Sequence, residues 1–284
     1  MSVSYNVAAE VHRAEFERTG YTLVRGLFST AEAERLRDHY MDVRRHGPRT
    51  HDFAGHTSTD RDPLKRYPRM AQMHRWDDES LQWMIDPRID QVMTTLLGRS
   101  PYAVQTMIYF KPPGSRGQAL HQDNFYLKAD PGTCVAAWMA LDRVDEANGC
   151  LEVVPGSHRW PILCTEKADT TVSFTDVTVP LPTAGAAVPV EMEPGDVLFF
   201  HGALVHGSNP NTTTDRFRRA LIGHYIEGEA ERVAQYYHPA LRMDGTELTL
   251  EVAEGGGACG EWTDTPEGPV AVLTGTQTID RKHE

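Results

Sequence analysis

The first third of the chain shows the spacing of apolar residues that is typical of amphipathic helices. Ser29 and Glu32 stand three residues apart, the spacing of a capping box at the start of a helix. The apolar positions that follow recur at helical intervals and predict one buried face, formed by Ala33, Leu36, Tyr40 and Val43. We therefore expect a helix that begins after Ser29 and packs this face against a core.

Two shorter helices are predicted before residue 100. They cover Leu81–Ile85 and Ile89–Leu97, with Pro87 between them and Gly98 as the stop. The segment His46–Pro68 is rich in Gly, Pro, Asp, Thr and His, which favours a long loop. Such a loop could cover a binding site.

The pattern changes at Tyr102 to short runs of Val, aromatic and alternating apolar residues. Turn-forming pairs of Pro, Gly and Asn separate the runs, with no helical spacing between them. Many short strands with such turns predict a barrel or sandwich rather than alternating strand and helix units. The predicted strands are Tyr102–Phe110, Cys134–Leu141, Cys150–Val154, Ala186–Met192, Val197–Phe200 and Arg219–Ile226.

A single domain over residues 1–284 is predicted, because the chain has no internal repeat and no long low-complexity linker. Residues 1–100 would form a mainly helical flank and residues 101–237 a β core that carries the chemistry. After Tyr236 the pattern becomes loop-like, so residues 238–284 are expected to form a loop-rich C-terminal extension.

Composition and charge narrow the function classes. The chain has 284 residues, 40% hydrophobic and 24% charged, as in ordinary globular proteins. Its formal net charge of −12 argues against unspecific binding to nucleic acid or to an anionic membrane. No apolar run approaches the roughly 20 residues of a membrane-spanning helix, and the N-terminal segment lacks the apolar region of a signal peptide. We expect a cytoplasmic protein with a small-molecule partner; the sequence does not indicate an oligomeric state.

The four cysteines, at positions 134, 150, 164 and 259, include no Cys-x-x-Cys pair. Scattered cysteines in a chain of this size and predicted location are most often reduced and buried. The sequence therefore predicts four free thiols: Cys134, Cys150, Cys164 and Cys259.

The tripeptide His121-Gln122-Asp123 is the first candidate for chemistry. On a strand, residues two apart point to the same face, so this spacing would bring an imidazole and a carboxylate together. Two histidines and one carboxylate on one face of an ion leave positions open, as non-haem Fe(II) oxygenases require. The tripeptide alone is weak evidence, since about one His-x-Asp is expected by chance in this composition.

The later sequence supplies the context. Pro194–Phe200 predicts a turn and a buried strand, which leads to His201 and then His206. Another strand follows, and it opens with the arginine-rich segment Arg216–Leu221. A distal histidine could complete a metal site, and a following arginine could bind a dicarboxylate, because a guanidinium matches carboxylate geometry.

Several segments together resemble the phytanoyl-CoA dioxygenase family of Fe(II)/2-oxoglutarate oxygenases. They are FERTGYTLVRGLFS from Phe16, HQD, WMALD with ENGCLEVVPGSH, GDVLFFHGALVHGSNPN, and RFRRA. The resemblance covers most of the chain up to about Tyr237. It implies a mainly β fold with peripheral helices, a double-stranded β-helix of the jelly-roll, cupin-like type.

The resemblance also implies cofactors and site residues. Fe(II) would be held by His121, Asp123 and His206, and 2-oxoglutarate and O2 would be cosubstrates. Arg218 would bind the distal carboxylate of 2-oxoglutarate, with Ser208, Trp138 and Met107 contributing to its pocket. The implied reaction hydroxylates an unactivated C–H bond of a small organic substrate and releases succinate and CO2. Since Asp123 is present, halogenation is not indicated.

The arginine assignment leaves alternatives open. The interval from His206 to Arg218 is one residue longer than the family pattern, which leaves Arg216 and Arg219 as competitors. On a strand, Arg218 and Arg219 must point to opposite faces. Matching the segment FRRA to the family selects Arg218.

Other motifs have simpler interpretations. His201 is expected to be structural or to support the site, and His158 to be a turn residue. The basic run Lys65–Arg69 is expected to be solvated, although it could bind an acidic ligand. Gly255–Gly260 matches a dinucleotide-binding pattern, but no helix is predicted after it, as such a site requires.

Two other functions remain open. One is a cupin-like metal protein or isomerase that does not use O2, and the other is a binder of 2-oxoglutarate without turnover. Substrate specificity is expected to lie in His46–Pro68, Arg69–Trp76 and Asn124–Tyr126. The resemblance does not choose between an acyl-CoA and a free small molecule.

Overall fold

A computed structural model of the chain describes residues 2–46, 62–182 and 187–277. Most of the predicted loop His46–Pro68 lies outside these residues. The helices within them are α1 (Ser2–Thr19), α2 (Thr30–Arg45), α3 (Pro63–Arg66), α4 (Asp78–Met84), α5 (Pro87–Leu97) and α6 (Asn124–Leu127).

The helix signals in the sequence are confirmed. Ser29 caps α2 in a reciprocal capping box with Glu32, and the four predicted apolar residues of α2 are all buried. Helix α5 begins after the capping residue Asp86 and ends at Gly98, whose φ of 80° lies in the left-handed region. Gly98 can adopt this conformation without the steric penalty that a side chain would bring.

The strands in the described ranges are β1 (Tyr21–Val24), β2 (Met70–Ala71), β3 (Tyr102–Lys111), β4 (Gln118–His121), β5 (Cys134–Ala140), β6 (Leu151–Val153), β7 (Glu166–Lys167), β8 (Val177–Thr178), β9 (Val188–Val190), β10 (Val197–His201), β11 (His206–Ser208), β12 (Arg218–Ile226), β13 (Arg232–Ala234), β14 (Ala240–Arg242), β15 (Glu247–Leu248), β16 (Glu251–Ala253), β17 (Gly257–Thr265) and β18 (Gly268–Gln277). Each of the six predicted strands overlaps one of these. Strands β1 and β2 fall in the first third, which the sequence pattern had described as helical.

Two sheets form the body of the fold. The larger has the order β1-β10-β5-β12-β3-β14-β15, with β2 also paired to β3, and the smaller has the order β4-β11-β6-β9. The non-sequential antiparallel order is that of a double-stranded β-helix, and the predicted jelly-roll fold is confirmed.

Strand alternation divides the larger sheet into two faces. On β12, Leu221 and Tyr225 belong to the core formed with the helices, while Ala220 and Ile222 belong to the core between the sheets. Truncating a fully buried leucine such as Leu221 to alanine would cost about 2–5 kcal/mol of stability. The helices thus stiffen the sheet from outside, and its inner face is available for a site.

The prediction of a loop-rich segment 238–284 is wrong for its described part. Strands β14 to β18 lie there, and β17 and β18 form a long antiparallel ribbon. Many side chains of this ribbon are exposed, so it lacks the one-sided apolar alternation that identifies a strand in a sequence.

The prediction of four free cysteines is also wrong. Cys164 and Cys259 form a disulfide that ties β17 to the chain before β7, whereas Cys134 and Cys150 are free and buried. The partners are 95 residues apart, and only the fold brings them together.

The helices of residues 2–46, 62–182 and 187–277 include none that is both long and apolar enough to cross a membrane. The cytoplasmic location stays a prediction.

Candidate metal centre

Two histidines lie side by side on adjacent strands of the smaller sheet. His121 ends β4, His206 begins β11, and the two residues are direct antiparallel partners with ring centroids 4.2 Å apart. Gly207 permits this close pairing, because a Cβ there would lie 2.8 Å from the carbonyl oxygen of Gln118. The register of β4 and β11 therefore brings both imidazoles to one point.

Asp123 follows the end of β4, and its carboxylate lies close to both imidazoles. It has helical backbone angles (φ −62°, ψ −37°) at the start of α6. Its Oδ1 lies 3.4 Å from Nε2 of His121 and 3.6 Å from Nε2 of His206. The prediction that His121 and Asp123 share the face of one strand is therefore wrong. The chain turns after His121, and this turn carries the carboxylate to the imidazoles.

Backbone carbonyls orient both rings. Nδ1 of His121 lies 2.9 Å from the carbonyl oxygen of Ala119, and Nδ1 of His206 lies 3.0 Å from that of Leu204. A carbonyl only accepts, so each Nδ1 carries the hydrogen and donates it. Each Nε2 then keeps its lone pair on the side where the Asp123 oxygen lies, as in metal-binding histidines.

The protonation states also suit a cation. Burial raises the pKa of Asp123, but the neighbouring imidazoles of His206, His121 and His224 outweigh it and hold the pKa well below its usual range. Burial lowers the pKa of His206 to about 4, and repulsion from His121 acts in the same direction. At neutral pH, Asp123 is a carboxylate and His206 a neutral imidazole, the forms that bind metals.

The three side chains, here called the ligand cluster, fit a divalent metal ion. Their ligand atoms all lie within 4.8 Å of one another. Two imidazole nitrogens and one carboxylate oxygen form the set that suits non-haem Fe(II) with open coordination positions. Within the described ranges, no other group of three or more His, Cys, Asp or Glu side chains converges in this way.

A cavity of about 350 Å³ opens beside the ligand cluster, with His121 and Asp123 in its wall. Two predicted specificity segments contribute to its wall through Arg69 and Tyr126, and aromatic rings from other segments complete it. The wall beyond the ligand cluster includes Gln105, Met107, Tyr109, Gln118, Phe174, Thr175, Asp176, Val177, His224, Tyr236 and Tyr237.

The segments 174–177 and 234–237 were not anticipated as parts of the site. They lie far apart in the sequence, at the ends of the two-stranded pairs β7-β8 and β13-β16, and the fold brings them together at the cavity. Within the basic run Lys65–Arg69, the side chains of Lys65 and Arg66 are exposed, as predicted for a solvated segment. Arg69 instead lines the cavity, with its guanidinium 5.2 Å from the ring of Phe174.

Two basic side chains, here called the basic pair, lie buried between the sheets. Arg218 on β12 and Lys111 on β3 are direct cross-strand partners and are 4% and 3% exposed. Arg218 Nε and Lys111 Nζ both donate to the carbonyl oxygen of Gly149, each at 3.2 Å. The Arg218 guanidinium carbon also lies 5.2 Å from the ring of Trp138.

Lys111 makes two further bonds, to Ser208 Oγ at 2.9 Å and to the carbonyl oxygen of Asn209. Burial lowers its pKa well below the usual range, and the charge of Arg218 adds to this effect. Burial also lowers the pKa of Arg218 to about 10. In the part of the chain that the structure describes, no carboxylate lies within 4.0 Å of either member of the basic pair.

The two competing arginines have acidic partners of their own. Arg216 contacts Asp145 through two nitrogens at 2.6 and 3.0 Å. Arg219 contacts Asp142 at 2.7 and 2.8 Å. Arg218 is thus the arginine of this segment that lies buried between the sheets without a carboxylate partner among the described residues.

Met107 and Trp138 lie in one row across the inner face of the larger sheet. Both pair with Ile222 of β12, from opposite sides. Met107 lines the cavity, and Trp138 lies against Arg218. Of the four residues that the resemblance assigned to the 2-oxoglutarate pocket, Met107 thus lines the cavity, whereas Arg218, Trp138 and Ser208 lie around the basic pair and are not part of the cavity wall.

The remaining sequence candidates lie elsewhere. His201 packs near Phe16, and its Nδ1 accepts a hydrogen bond from the backbone of Ala203 at 3.0 Å. His158 lies in a short turn against Gly20. The glycine-rich segment before Gly260 leads into β17 rather than a helix, so a dinucleotide site is not formed there.

Sequence reasoning missed Lys111 and His224. His224 lies on a predicted strand, whereas Lys111 lies one residue beyond the predicted strand Tyr102–Phe110. Both share a face with Arg218, His224 by the two-residue alternation along β12 and Lys111 as the cross-strand partner of Arg218. Counting from Arg218 along β12 would have led to His224, whose Nε2 lies 3.2 Å from Oδ2 of Asp123.

The chain is similar to known proteins in sequence and in fold. The family model described as phytanoyl-CoA dioxygenase (PhyH) matches residues 16–220. A phytanoyl-CoA dioxygenase described as peroxisomal, from Bos taurus, is 27% identical over 242 residues, covering 80% of this chain and 71% of its own length. A probable phytanoyl-CoA dioxygenase from Caenorhabditis elegans is 30% identical over 249 residues, covering 79% of this chain and 77% of its own.

A solved structure supports the fold. It is that of the epimerase SnoN in complex with Fe3+, alpha ketoglutarate and nogalamycin RO, with a TM-score of 0.65. The alignment covers 80% of this chain and 86% of SnoN at 22% sequence identity.

Proposed function

Because the chain belongs to the phytanoyl-CoA dioxygenase family of Fe(II)/2-oxoglutarate-dependent oxygenases, we propose that it hydroxylates an unactivated C–H bond of a small organic substrate. 2-Oxoglutarate would be converted to succinate and CO2 in the same reaction. The observation that carries the proposal is the ligand cluster, two imidazoles and one carboxylate that converge beside a cavity.

His121, Asp123 and His206 are the proposed iron ligands. Their support is the convergence of their ligand atoms and the outward-turned Nδ1 atoms of both histidines. Bound iron would supply the activation of O2 that oxidation of a C–H bond requires. The chain itself contributes ligands on one side only, so that other positions stay open for cosubstrates.

The basic pair is the proposed seat of the distal carboxylate of 2-oxoglutarate. Arg218 would bind it directly, with Ser208 beside it and Trp138 and Met107 shaping the pocket. A buried guanidinium without an acidic partner is costly unless an anion joins it, and a dicarboxylate provides that anion. Burial excludes water from this contact and strengthens it.

A free small molecule is the proposed substrate class. The cavity of about 350 Å³ is of the size that suits small ligands. Its wall carries several polar side chains among its aromatic rings, a lining that favours a ligand with polar groups of its own over a saturated acyl chain. The bovine and nematode relatives are named for phytanoyl-CoA, so acyl-CoA thioesters belong in every substrate screen.

Anaerobic spectroscopy followed by product analysis tests the proposal. Fe(II) and 2-oxoglutarate added together should produce a visible charge-transfer band, and O2 should then yield succinate. With isotopically labelled O2 and the correct substrate, one labelled oxygen atom should enter the product. Product of unchanged composition would indicate epimerisation instead, the activity for which SnoN is named.

Two negative results would contradict the proposal in different ways. A protein that binds metal but gives no band would be a cupin-like protein that does not use 2-oxoglutarate. A band without succinate, across acyl-CoAs and free small molecules, would identify a binder of 2-oxoglutarate that does not turn it over.

We also propose that residues 1–284 form a single oxygenase domain. The helical flank shares a core with the larger sheet, and the Cys164–Cys259 disulfide ties the C-terminal ribbon to the chain before β7. Thermal unfolding under non-reducing conditions should therefore show one cooperative transition, and two separate transitions would contradict the proposal.

A further inference from the structure

We infer that His224 is a positioning residue that holds Asp123 so that only one carboxylate oxygen faces the metal. The inference rests on the proposed metal site. His224 Nε2 lies 3.2 Å from Oδ2 of Asp123, whereas Oδ1 is the oxygen near the Nε2 atoms of the ligand histidines. The two oxygens of Asp123 therefore have separate partners.

This division has a chemical consequence. A carboxylate can bind a metal through one oxygen or through both, and the second mode occupies an additional coordination position. A carboxylate only accepts hydrogen bonds, so His224 Nε2 must carry a hydrogen and donate it to Oδ2. Oδ2 is then engaged, and Asp123 offers Oδ1 alone. The positions needed by 2-oxoglutarate and O2 stay open.

The fold fixes the ring of His224 firmly. The residue is 7% exposed, and its neighbours in the sheet are Ala136 on β5 and Gln105 on β3. Immediately after it, the pairing of β12 with β3 shifts by one residue, with Val104 unpaired. Such bulges redirect side chains near functional sites. The small side chain of Ala136 leaves room for the imidazole.

An unsatisfied atom supports a specific role for this contact. His224 Nδ1 is buried and has no hydrogen-bond partner among the described residues. With the hydrogen on Nε2, Nδ1 is a bare acceptor, and a buried acceptor without a donor is destabilising. The contact with Asp123 is therefore the hydrogen bond that orients the imidazole ring. A buried nitrogen without a partner is rare in folded proteins, and here we attribute it to the role of His224 at the metal site.

Two substitutions separate the hydrogen bond from the bulk of the side chain. His224→Leu keeps a similar volume and removes the donor, whereas His224→Gln can place an amide N–H where Nε2 lies. We expect His224→Leu to weaken Mn(II) binding by about 10- to 100-fold, the usual effect of losing a hydrogen bond to a metal-binding side chain. Calorimetry on the metal-free protein measures this affinity. His224→Gln should recover most of this loss. The anaerobic Fe(II)/2-oxoglutarate band should shift or weaken in His224→Leu and return in His224→Gln.

Controls make the result specific. His201→Gln replaces a half-buried histidine, whose hydrogen bond and ring contacts among the described residues do not include the ligand cluster, and should leave Mn(II) affinity unchanged. If His224→Leu does not fold, His224→Phe provides a second variant without a donor. Equal Mn(II) affinity and an unchanged band in the folded donor-free variant would overturn the inference, as would a His224→Gln variant as weak as His224→Leu. Asp123→Ala tests the site itself: if it binds Mn(II) like the parent, the proposed metal site fails and the inference with it.

Discussion

The ligand cluster and the basic pair occupy the same interior, but they differ in how their charges are satisfied. In the ligand cluster, one carboxylate lies within 3.6 Å of Nε2 of both His121 and His206. In the basic pair, Lys111 and Arg218 lie against backbone carbonyls and a tryptophan ring, with no carboxylate within 4.0 Å among the described residues. The ligand cluster therefore contains its own negative charge, whereas the basic pair has no negatively charged partner among the described residues.

This difference indicates what each site binds. A set of imidazole nitrogens with an anionic carboxylate attracts a cation, because their ligand atoms converge on one point. A buried guanidinium without an acid attracts an anion, since burial leaves its charge poorly solvated. Under the proposed function, 2-oxoglutarate would satisfy both sites, because it carries a carboxylate at each end.

The largest effect is expected from breaking the ligand cluster. His206→Ala or Asp123→Ala should abolish turnover and Mn(II) binding, because each removes one of three protein ligands. Calorimetry for metal binding and a succinate assay check this, and circular dichroism should report a retained fold. Asp145→Ala removes a carboxylate paired with Arg216 and should leave metal binding intact. Normal metal binding by His206→Ala would mean that the distal ligand is another residue, with His201 tested next.

The next effect tests the basic pair against its neighbours. Arg218→Ala should raise the half-saturating 2-oxoglutarate concentration at least about 30-fold, since truncating one partner of a buried charge pair costs about 2–5 kcal/mol and 1.4 kcal/mol is tenfold. Metal binding should survive.

Arg219→Ala is the matched control for that variant. Arg219 lies one residue further along β12 and points to Asp142, so 2-oxoglutarate affinity should change little. A large effect of Arg219→Ala or Arg216→Ala, with none for Arg218→Ala, would contradict the assignment of the basic pair.

The two sites also differ in how far the sequence predicted them. Alternation along β12 correctly predicted that Arg218 and Arg219 point to opposite faces of the sheet. The strand pairs with β3 on one side and β5 on the other, and this pairing keeps its backbone regular. Alternation does not extend to Asp123, because the strand ends at His121 and a helical turn begins. A local pattern predicts a strand but not the residue at which a turn replaces it.

Features that depend on distant segments were out of reach. Lys111 acquires its role only because the fold places Gly149 and Asn209 beside its ammonium group. Gly149 has a φ of +78°, and a Cβ there would lie 2.4 Å from the backbone oxygen of Asn209 and 2.7 Å from Lys111 Nζ, so glycine is required at this contact. The disulfide of Cys164 with Cys259 is likewise a product of the fold, across 95 residues.

A third prediction separates a metal-binding histidine from one that only packs. Burial lowers the pKa of His201 to about 4, as it does for His206. The unfolded value is about 6.5, so stability is complete above this pH and is lost as the pH falls toward 4, because the unfolded chain takes up the proton first. Between pH 7 and pH 5 the unfolding constant of the metal-free protein should rise by on the order of tenfold from His201 alone.

Denaturant unfolding of His201→Gln at the two pH values checks this prediction. The variant should lose about one tenfold step of the acid sensitivity while keeping the Mn(II) affinity of the parent. An unchanged dependence on pH would mean that His201 is already protonated, or exposed, in the folded protein. Weaker Mn(II) binding would mean that its contacts reach the ligand cluster.

The smallest effect concerns Lys111, which distinguishes the two members of the basic pair. Lys111 Nζ is engaged by Ser208, Gly149 and Asn209, so it would act on a bound carboxylate through its charge rather than by direct contact. An interaction of about 1 kcal/mol is reasonable at the effective dielectric of protein sites, which corresponds to about fivefold in affinity. Lys111→Met should therefore raise the half-saturating 2-oxoglutarate concentration about 3- to 10-fold, well below the effect of Arg218→Ala.

Lys128→Met is the matched control, because Lys128 also donates to a backbone carbonyl, that of Gly256, but lies outside the basic pair. It should leave 2-oxoglutarate affinity unchanged. An effect of Lys111→Met as large as that of Arg218→Ala would show that the lysine contacts the cosubstrate directly. No effect in a folded Lys111→Met protein would show that it only ties Gly149 and Asn209 to β3, and that Arg218 alone provides the anion site.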